Sequence, residues 1–352
     1  SPVRASGGAF TREEEVSVAT ILVSRSPFVP EEVERIRQLA ATEGLTVLVA
    51  PGIPSQNPVV NELLDPATRG AAIAASPFDI SPPSDTRPYF FLQVRPTDAL
   101  DLFGREFGGI TEITFNGVRV LVVLALCALA LTFAVVAFTV LGLPGSGASA
   151  PDRGVYRWMT LYFLGIGFGY ILVQLAMHQR LILIVGHPTL ALSIVLFSML
   201  LGTGLGSAAS ERLFPSGSMA RAGSAILATL VLLAGALRAL PAVEQIGTAA
   251  GRMAIVGAMV GVVGFALGLA FPLGVRRVAG TGEWAVQKMW AINGAASIAG
   301  SVLAAFVGLT AGSAFVLLAG IGFYVIAVTA GVMAETRYQE GFATARGSAP
   351  EA

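Results

Sequence analysis

Beyond about Val118 the chain alternates long apolar runs with short polar or Gly/Pro breaks. The runs cover residues 118–143, 157–177, 189–209, 222–240, 253–273, 289–309 and 313–334. Each is close to the ~20 residues that an α-helix needs to cross the hydrocarbon of a bilayer. Residues 145–151, 215–217 and 280–282 supply the turn residues between them. Only Thr310-Ala311-Gly312 separates the last two runs, which are therefore expected to pack as a tight antiparallel pair. The pattern predicts a mainly α, polytopic membrane bundle of about seven helices.

The first part of the chain follows a different rhythm. Residues 16–24 (VSVATILVS) are apolar and β-branched, which predicts a buried strand. Pro30 then opens a helix with Glu31 and Glu32 in its first turn, where the dipole favours acids. Val33, Ile36, Leu39 and Ala40 share one face of it, and Gly44 ends it. Residues 45–50 (LTVLVA) predict a second strand before Pro51-Gly52. Strand, helix and strand in this order make one βαβ unit with parallel strands, a small incomplete α/β segment. One such unit cannot cover both faces of its sheet and needs further strands. Residues 57–76 predict one or two short helices, and residues 78–91 a Pro-stiffened stretch closed by aromatics. The expected organisation is a soluble segment over 1–96, a juxtamembrane linker over 97–117, the bundle over 118–334 and a polar tail over 335–352.

Composition supports lipid as the solvent of the larger part. The chain is 54% hydrophobic and only 12% charged, against about 25% charged in soluble domains. The formal net charge is zero, so no global field recruits nucleic acid. The single cysteine, Cys127, lies in an apolar run and can form neither an internal disulfide nor a thiolate metal cage. Residues 1–15 lack the apolar core of a signal peptide and carry Glu13-Glu14-Glu15. The first residue is not Met, so the chain reads as a fragment or a processed product. Gly165 and Gly169, Gly202 and Gly206, Gly257 and Gly261, Gly264 and Gly268, and Gly300 and Ala304 fit small-xxx-small spacing. Such pairs let membrane helices approach closely, and they are silent on activity.

Basic residues near the membrane are Arg105, Arg119, Arg180, Arg238 and Arg252 on the side of the N-terminal segment. Arg153, Arg157, Arg212, Arg221, Arg276, Arg277, Lys288, Arg337 and Arg346 lie on the other. The excess places the C-terminus in the cytoplasm and, with an odd number of crossings, the soluble segment outside.

The apolar runs hold almost no ionisable groups, unlike the ion-coupled transporters that need them. Gln174, His178, Gln179 and Arg180 cluster at the end of the second run, and the cluster continues into Gly186-His187-Pro188. These residues either ring a small polar cavity at the membrane face or form a helix end whose side chains reach headgroups and carbonyls. The only two histidines are nine residues apart without an acidic neighbour, so no metal site is expected. Asn293 and Ser297 share a helix face and either bond a neighbouring helix or line a substrate cavity. Pro272 is expected to kink or stop its helix, and Arg276 and Arg277 to meet anionic lipid. Asp85 and Arg87, two apart in extended chain, pin the loop or bind substrate. Gly202-Thr-Gly204-Leu-Gly206 lies within an apolar run with no strand before it and does not read as a nucleotide loop. No nucleophile–base–acid set is visible, so no catalytic residue is assigned.

At four of these segments the chain resembles the membrane-bound spermidine-synthase-like proteins of bacteria. Pro83-Ser-Asp85-Thr-Arg87-Pro-Tyr89-Phe-Phe91 is similar to the P-T-D-D-R-P-F/Y-F-F stretch that closes their synthase-like domain. Gln179-Arg-Leu-Ile-Leu183 through Gly186-His-Pro188 is similar to their Q-R-L-I-L-F-L-G-H-P. Gly268-Leu-Ala-Phe271-Pro-Leu-Gly274 and Trp290-Ala-Ile-Asn293-Gly-Ala-Ala-Ser297 are similar to their G-x-x-F-P-x-G and W-A-x-N-G-A-A-S. The resemblance covers about residues 16–334 as an ordered series. It departs at Gln174, where the family usually carries Glu, and at Thr86, where it carries a second acid.

The resemblance implies that residues 1–96 are the end of a Rossmann methyltransferase-like, polyamine aminopropyltransferase-like domain. In that family the Gly-rich loop and acids that hold an S-adenosyl cosubstrate and polyamine lie upstream of the segment present here. As it stands the chain is expected to hold no cofactor and to transfer no aminopropyl group. The expected partners are the lipid bilayer and either a missing N-terminal portion or another membrane subunit. The expected location is the inner (cytoplasmic) membrane. A transporter-like module for a small substrate, or an accessory structural subunit of a membrane complex, are the alternative readings. Gln174, His178, Arg180, His187, Asn293 and Ser297 are the substrate or cavity candidates.

Overall fold

A computed structural model describes residues 20–76, 78–84, 95, 109–141, 150–239, 242–243, 248–279 and 283–347. Two compact units form, residues 1–83 with 90–119 and residues 84–89 with 120–352.

In the first unit, α1 (Pro30–Thr42) begins where the sequence places it. Pro30 is pre-set for the first turn, and the Glu32 carboxylate accepts the Val29 N–H at 3.0 Å. Its end is set by Gly44 at φ +68°, a left-handed position that glycine enters without a Cβ clash. α2 (Pro58–Leu64) starts at Asn57, whose side chain accepts the Val59 N–H at 3.0 Å, and α3 (Arg69–Ala75) follows.

The expected βαβ unit is not observed. Among the described residues there is no strand, and the only β pairing is an isolated bridge between Ala50 and Ile53. Residues 20–24 and 45–49 are irregular, while residues 16–19 lie outside the described part. The physical reason is a lack of partners. A strand satisfies its N–H and C=O groups only through a neighbour, and two runs without flanking strands make no stable sheet. The side chains report the same deficit, since Ile21, Val23, Leu45 and Leu48 are all exposed and α1 buries no residue.

The long helix α4 (Gly109–Leu141) begins in the first unit and belongs to the second from Val120 onward, and the second unit also holds α5 (Ala150–Val185), α6 (Pro188–Leu213), α7 (Met219–Ala236), α8 (Ala249–Gly268), α9 (Ala270–Ala279), α10 (Glu283–Thr310) and α11 (Ser313–Gly347). Seven segments are long and apolar enough to cross a membrane: Asn116–Thr139, Arg153–Val185, Pro188–Leu213, Met219–Ala236, Ala249–Ala279, Trp284–Thr310 and Ser313–Glu340. α8 and α9 together make one of these segments. Large apolar side chains point outward, as at Phe133, Phe197, Leu232, Val262 and Phe315, whereas glycine and alanine line the helix contacts. A water-soluble bundle puts its large apolar groups inside. Here large apolar groups lie outside as well as inside, where Phe163, Leu172 and Leu230 are fully buried, and that apolar exterior suits a hydrocarbon surround, in which small residues let backbones close up.

Contact registers fix the helix directions. Gly165 faces Ala327, Gly169 faces Tyr324 and Gly320 faces Val173, so α5 and α11 are antiparallel. Gly202 faces Gly261 and Gly206 faces Phe265, so α6 and α8 are parallel. Gly167 faces Asn293 and Gly308 faces Gln179, so α5 and α10 are parallel. These directions are those of a chain that crosses at every span. One end of the bundle, face A, therefore carries the turns at Gly186 and Gly312, and the other, face B, carries the turn at Pro215–Gly217. α5 is the central helix, with 72% of its most apolar window buried against 11% for α4. α11 packs chiefly on α5, so the tight pairing expected between the last two spans is secondary to each one's packing on that helix.

α5 runs on to Val185, because Leu181–Val185 has no breaker before Gly186 at φ +76°. Gln174 and His178 thus lie within the apolar helix Arg153–Val185 rather than at its end. Pro272 interrupts its helix without ending the run, the first of the two outcomes expected of it. A proline offers no N–H to the carbonyl four residues back and crowds it. The chain steps at Leu269, whose N–H turns to the Ala266 carbonyl at 3.3 Å, and helix resumes as α9.

Candidate functional site

The break between α8 and α9 lies against α5, and polar groups gather around it. The Tyr162 hydroxyl donates to the Ala270 carbonyl at 2.6 Å. Tyr324 of α11 is 1% exposed and packs its ring where a Cβ on Gly169 would lie. Tyr162 and Tyr324 line a cavity of about 10 Å³, with Met219, Ala222 and Ile226 of α7 on its far wall and Ala270 and Leu273 on α9. Room of that size holds about one water. About two turns along α5 from Tyr162, the Tyr170 and Thr203 hydroxyls are 3.3 Å apart.

On α10, the Asn293 amide donates to the Phe163 carbonyl at 3.3 Å. The Ser297 hydroxyl is 3.3 Å from the Gly167 carbonyl and 2.9 Å from the Asn293 carbonyl. Gly167 is what lets these side chains reach, because a Cβ there would lie 2.7 Å from the Asn293 carbonyl oxygen. Beside them the rings of Trp290, Phe271 and Phe163 form successive edge-to-face contacts at 5.1 and 5.4 Å. These stacks tie the segment after the break to α5 and α10.

Toward face A, Gln174 and His178 are four residues apart and share a face of α5 with Gly167 and Tyr170. Gln174 is 9% exposed, and His178 Nδ1 is buried with no hydrogen-bond partner. Gln179 turns to another face and lays its amide on Gly308, leaving its Oε1 without a partner. Arg180 is two residues beyond His178 and so on a different side of the helix. His187 is exposed in the turn as the N-cap residue of α6, without a side-chain cap bond. The structure therefore brings Gln174 together with His178, and Asn293 with Ser297. Arg180 and His187 stand apart from both pairs, and Asp85 and Arg87 lie outside the described residues.

At face B the two arginines expected to meet lipid are engaged by protein instead. Arg276 donates to the Ser210 carbonyl at 3.3 Å, at the end of α6, while its Nε is buried without a partner. Arg277 donates to the Gly217 carbonyl at 3.2 Å, pairs with Glu335 at 3.2 Å and lies over the Tyr338 ring at 5.5 Å. The other Glu335 oxygen accepts the Met219 N–H at 3.0 Å, at the N-terminus of α7. The cause is local. Carbonyls at a helix end and amides at a helix start lack partners in their own helix, and this cluster supplies both within reach of one ion pair.

Sequence reasoning passed over the three tyrosines, Thr203 and the Arg277–Glu335 pair. The Pro272 signal marked the break, but tyrosines scattered over more than one helix gave no spacing to read. Glu335 was assigned to the polar tail, although it is an acid at the edge of an apolar run. Among the described residues no group of three or more His, Cys, Asp or Glu that could hold a metal ion occurs. Comparison with protein-family models, with curated proteins and with solved structures finds no match to this chain.

Proposed function

We propose that this chain is the membrane-embedded C-terminal part of a spermidine-synthase-like protein of the bacterial cytoplasmic membrane, with face B inward and no aminopropyl transfer of its own. The observation that carries the reading is the meeting of its resemblance segments on α5. Phe271 of the Gly268–Gly274 segment and Trp290 of the Trp290–Ser297 segment join Phe163 through ring contacts. Asn293 bonds the Phe163 carbonyl, and Gln179-Arg-Leu-Ile-Leu183 with Gly186-His-Pro188 forms the end of α5 and its turn. Segments of similar sequence that lie far apart along the chain thus serve one packing arrangement. The inward assignment of face B rests on its bases, among them Arg153, Arg157, Arg212, Arg221 and Arg337. Calorimetry on the intact gene product with ordinary and decarboxylated S-adenosylmethionine tests the reading. Saturable binding supports an aminopropyltransferase-like partner domain, and absence of heat with both compounds removes it.

A second reading, a transporter-like module for a small substrate, is favoured by one observation. A discontinuous membrane helix borders a cavity, an arrangement that transporters use to place binding groups at mid-membrane. The near absence of acids in the spans weighs against a cationic substrate. Proteoliposome uptake of a polyamine that is insensitive to Asn293→Ala combined with Gln174→Ala counts against this reading for that solute.

A further inference from the structure

We infer that the bundle contains a path for a small uncharged, hydrogen-bonding solute, reached by water from face A and closed at face B by the Arg277–Glu335 pair. The inference rests on the transporter-like reading and identifies its substrate class and its closure.

The path begins on α5. His178 and Gln174 lie ~10 and ~16 Å along the helix from Val185, at ~1.5 Å per residue. Both are polar groups within an apolar crossing. His178 Nδ1 is buried without a partner, and Gln174, 9% exposed, is the next polar side chain on the same face. An unmet hydrogen-bonding group in a low-dielectric interior is costly, so His178 calls for a polar occupant beside it. The groups flanking this face are Thr203 of α6 and Ser297 of α10, and those two helices are separated by α5 rather than packed on each other. From the Tyr170–Thr203 pair the polar groups continue through Tyr324, which is packed on Gly169, to Tyr162 and the cavity at the helix break.

Between Gln174 and Met219 the groups on this line are hydroxyls, carbonyls and amides. No carboxylate or cation stands among them to balance a charged solute, which fixes the class as uncharged.

The cavity ends at α7. That helix packs on α11 where Gly223 meets Val328, and its first residue, Met219, lines the cavity. That residue is held by Glu335, and the turn before it by Arg277 at Gly217. The ion pair is 14% and 16% exposed, with its ends on α9 and α11. One interaction thus fixes α7, α9 and α11 together at face B, directly above the cavity. Releasing it frees the N-terminal turn of α7 and opens the cavity to that side.

The test uses the full chain in proteoliposomes with Cys127→Ser and single cysteines at Gln174, Leu200 and Ala222, reacted with N-ethylmaleimide, a small uncharged probe whose reaction requires a hydrated thiol. Gln174→Cys is expected to react at least tenfold faster than Leu200→Cys, which faces the lipid side. Ala222→Cys is expected to react slowly and to accelerate at least tenfold when Glu335→Gln is added. Where Glu335→Gln does not elute as a single species, Arg277→Gln combined with Glu335→Gln removes both charges and leaves neither unpaired. Equal rates at positions 174 and 200 overturn the path, and an Ala222→Cys rate unchanged by either latch variant overturns the closure. Neither outcome bears on S-adenosyl binding by the intact gene product, so this inference and the family reading fail separately.

Discussion

Replacing Gly264 by alanine probes the packing of α6 on α8 directly. A Cβ at Gly264 would lie 2.6 Å from the Met199 carbonyl oxygen, 3.2 Å from its Cα and 3.3 Å from its carbonyl carbon. All three are backbone atoms that cannot rotate away. Ordinary contact begins at 3.4 Å, so the helices must part by about 0.8 Å, the difference 3.4 − 2.6. A gap of that size forfeits a quarter to a half of each dispersion well. With ~40 atom pairs at ~0.15 kcal/mol and a third lost, the cost is ~2 kcal/mol, within the ~1–3 kcal/mol typical of overpacking. The helix preference for alanine over glycine returns up to ~1 kcal/mol, leaving a net loss of ~1 kcal/mol or more. Gly204 on α6 is the control, because nothing lies within 4 Å of a Cβ there. Gly204→Ala keeps the propensity gain with no clash and is expected to be neutral or stabilising. Reversible unfolding in mixed detergent micelles, titrated with SDS, measures both. The reasoning is refuted if the two substitutions shift stability by the same amount and sign.

Other substitutions test the remaining contacts by the same assay. Tyr162→Phe removes the hydroxyl bonded to the Ala270 carbonyl and is expected to cost ~1 kcal/mol, rising toward ~3 if that carbonyl stays unpaired; no change means the bond is not formed in the membrane. Asn293→Ala and Ser297→Ala each remove an interhelical bond to a different α5 carbonyl, so each is expected to cost ~0.6 kcal/mol and at most ~1.7. Phe133, 75% exposed in the first crossing, faces the surround, and Phe133→Asp is expected to reduce insertion by ~2.5–3.5 kcal/mol; membrane-fraction yield reads this directly, and an unchanged yield places that surface in water.

The bundle was legible in the sequence because length and hydrophobicity are read one segment at a time. The seven runs, the break at 215–217 and the small-residue pairs all correspond to elements of the structure, while the breaks at 145–151 and 280–282 fall wholly or largely outside the described residues. Gly202-Thr-Gly204-Leu-Gly206 shows how far that goes. It is a helix surface, with Gly202 and Gly206 turned to α8 and Gly204 turned away. What failed was the part that depends on partners. Residues 45–50 have strand composition, but composition supplies no neighbour to pair with, and they stay irregular apart from the bridge at Ala50. The end of α5 was misplaced because a polar cluster at Gln174–Arg180 looks like a boundary, whereas the helix continues while nothing breaks it. Arg277 and Glu335 lie far apart in sequence, and only the fold of the bundle brings them within 3.2 Å of each other.

The account turns on a chain that crosses the bilayer at every span, with hydrocarbon around the outward side chains. Single cysteines at His187 and at Ser216, in the Cys127→Ser background, can be reacted with a membrane-impermeant maleimide from one side of sealed vesicles. The structure puts these turns at opposite ends of α6. Labelling of one position from outside, and of the other only after the vesicles are opened, is the predicted result. Labelling of both from the same side, or recovery of the protein in the supernatant without detergent, contradicts it.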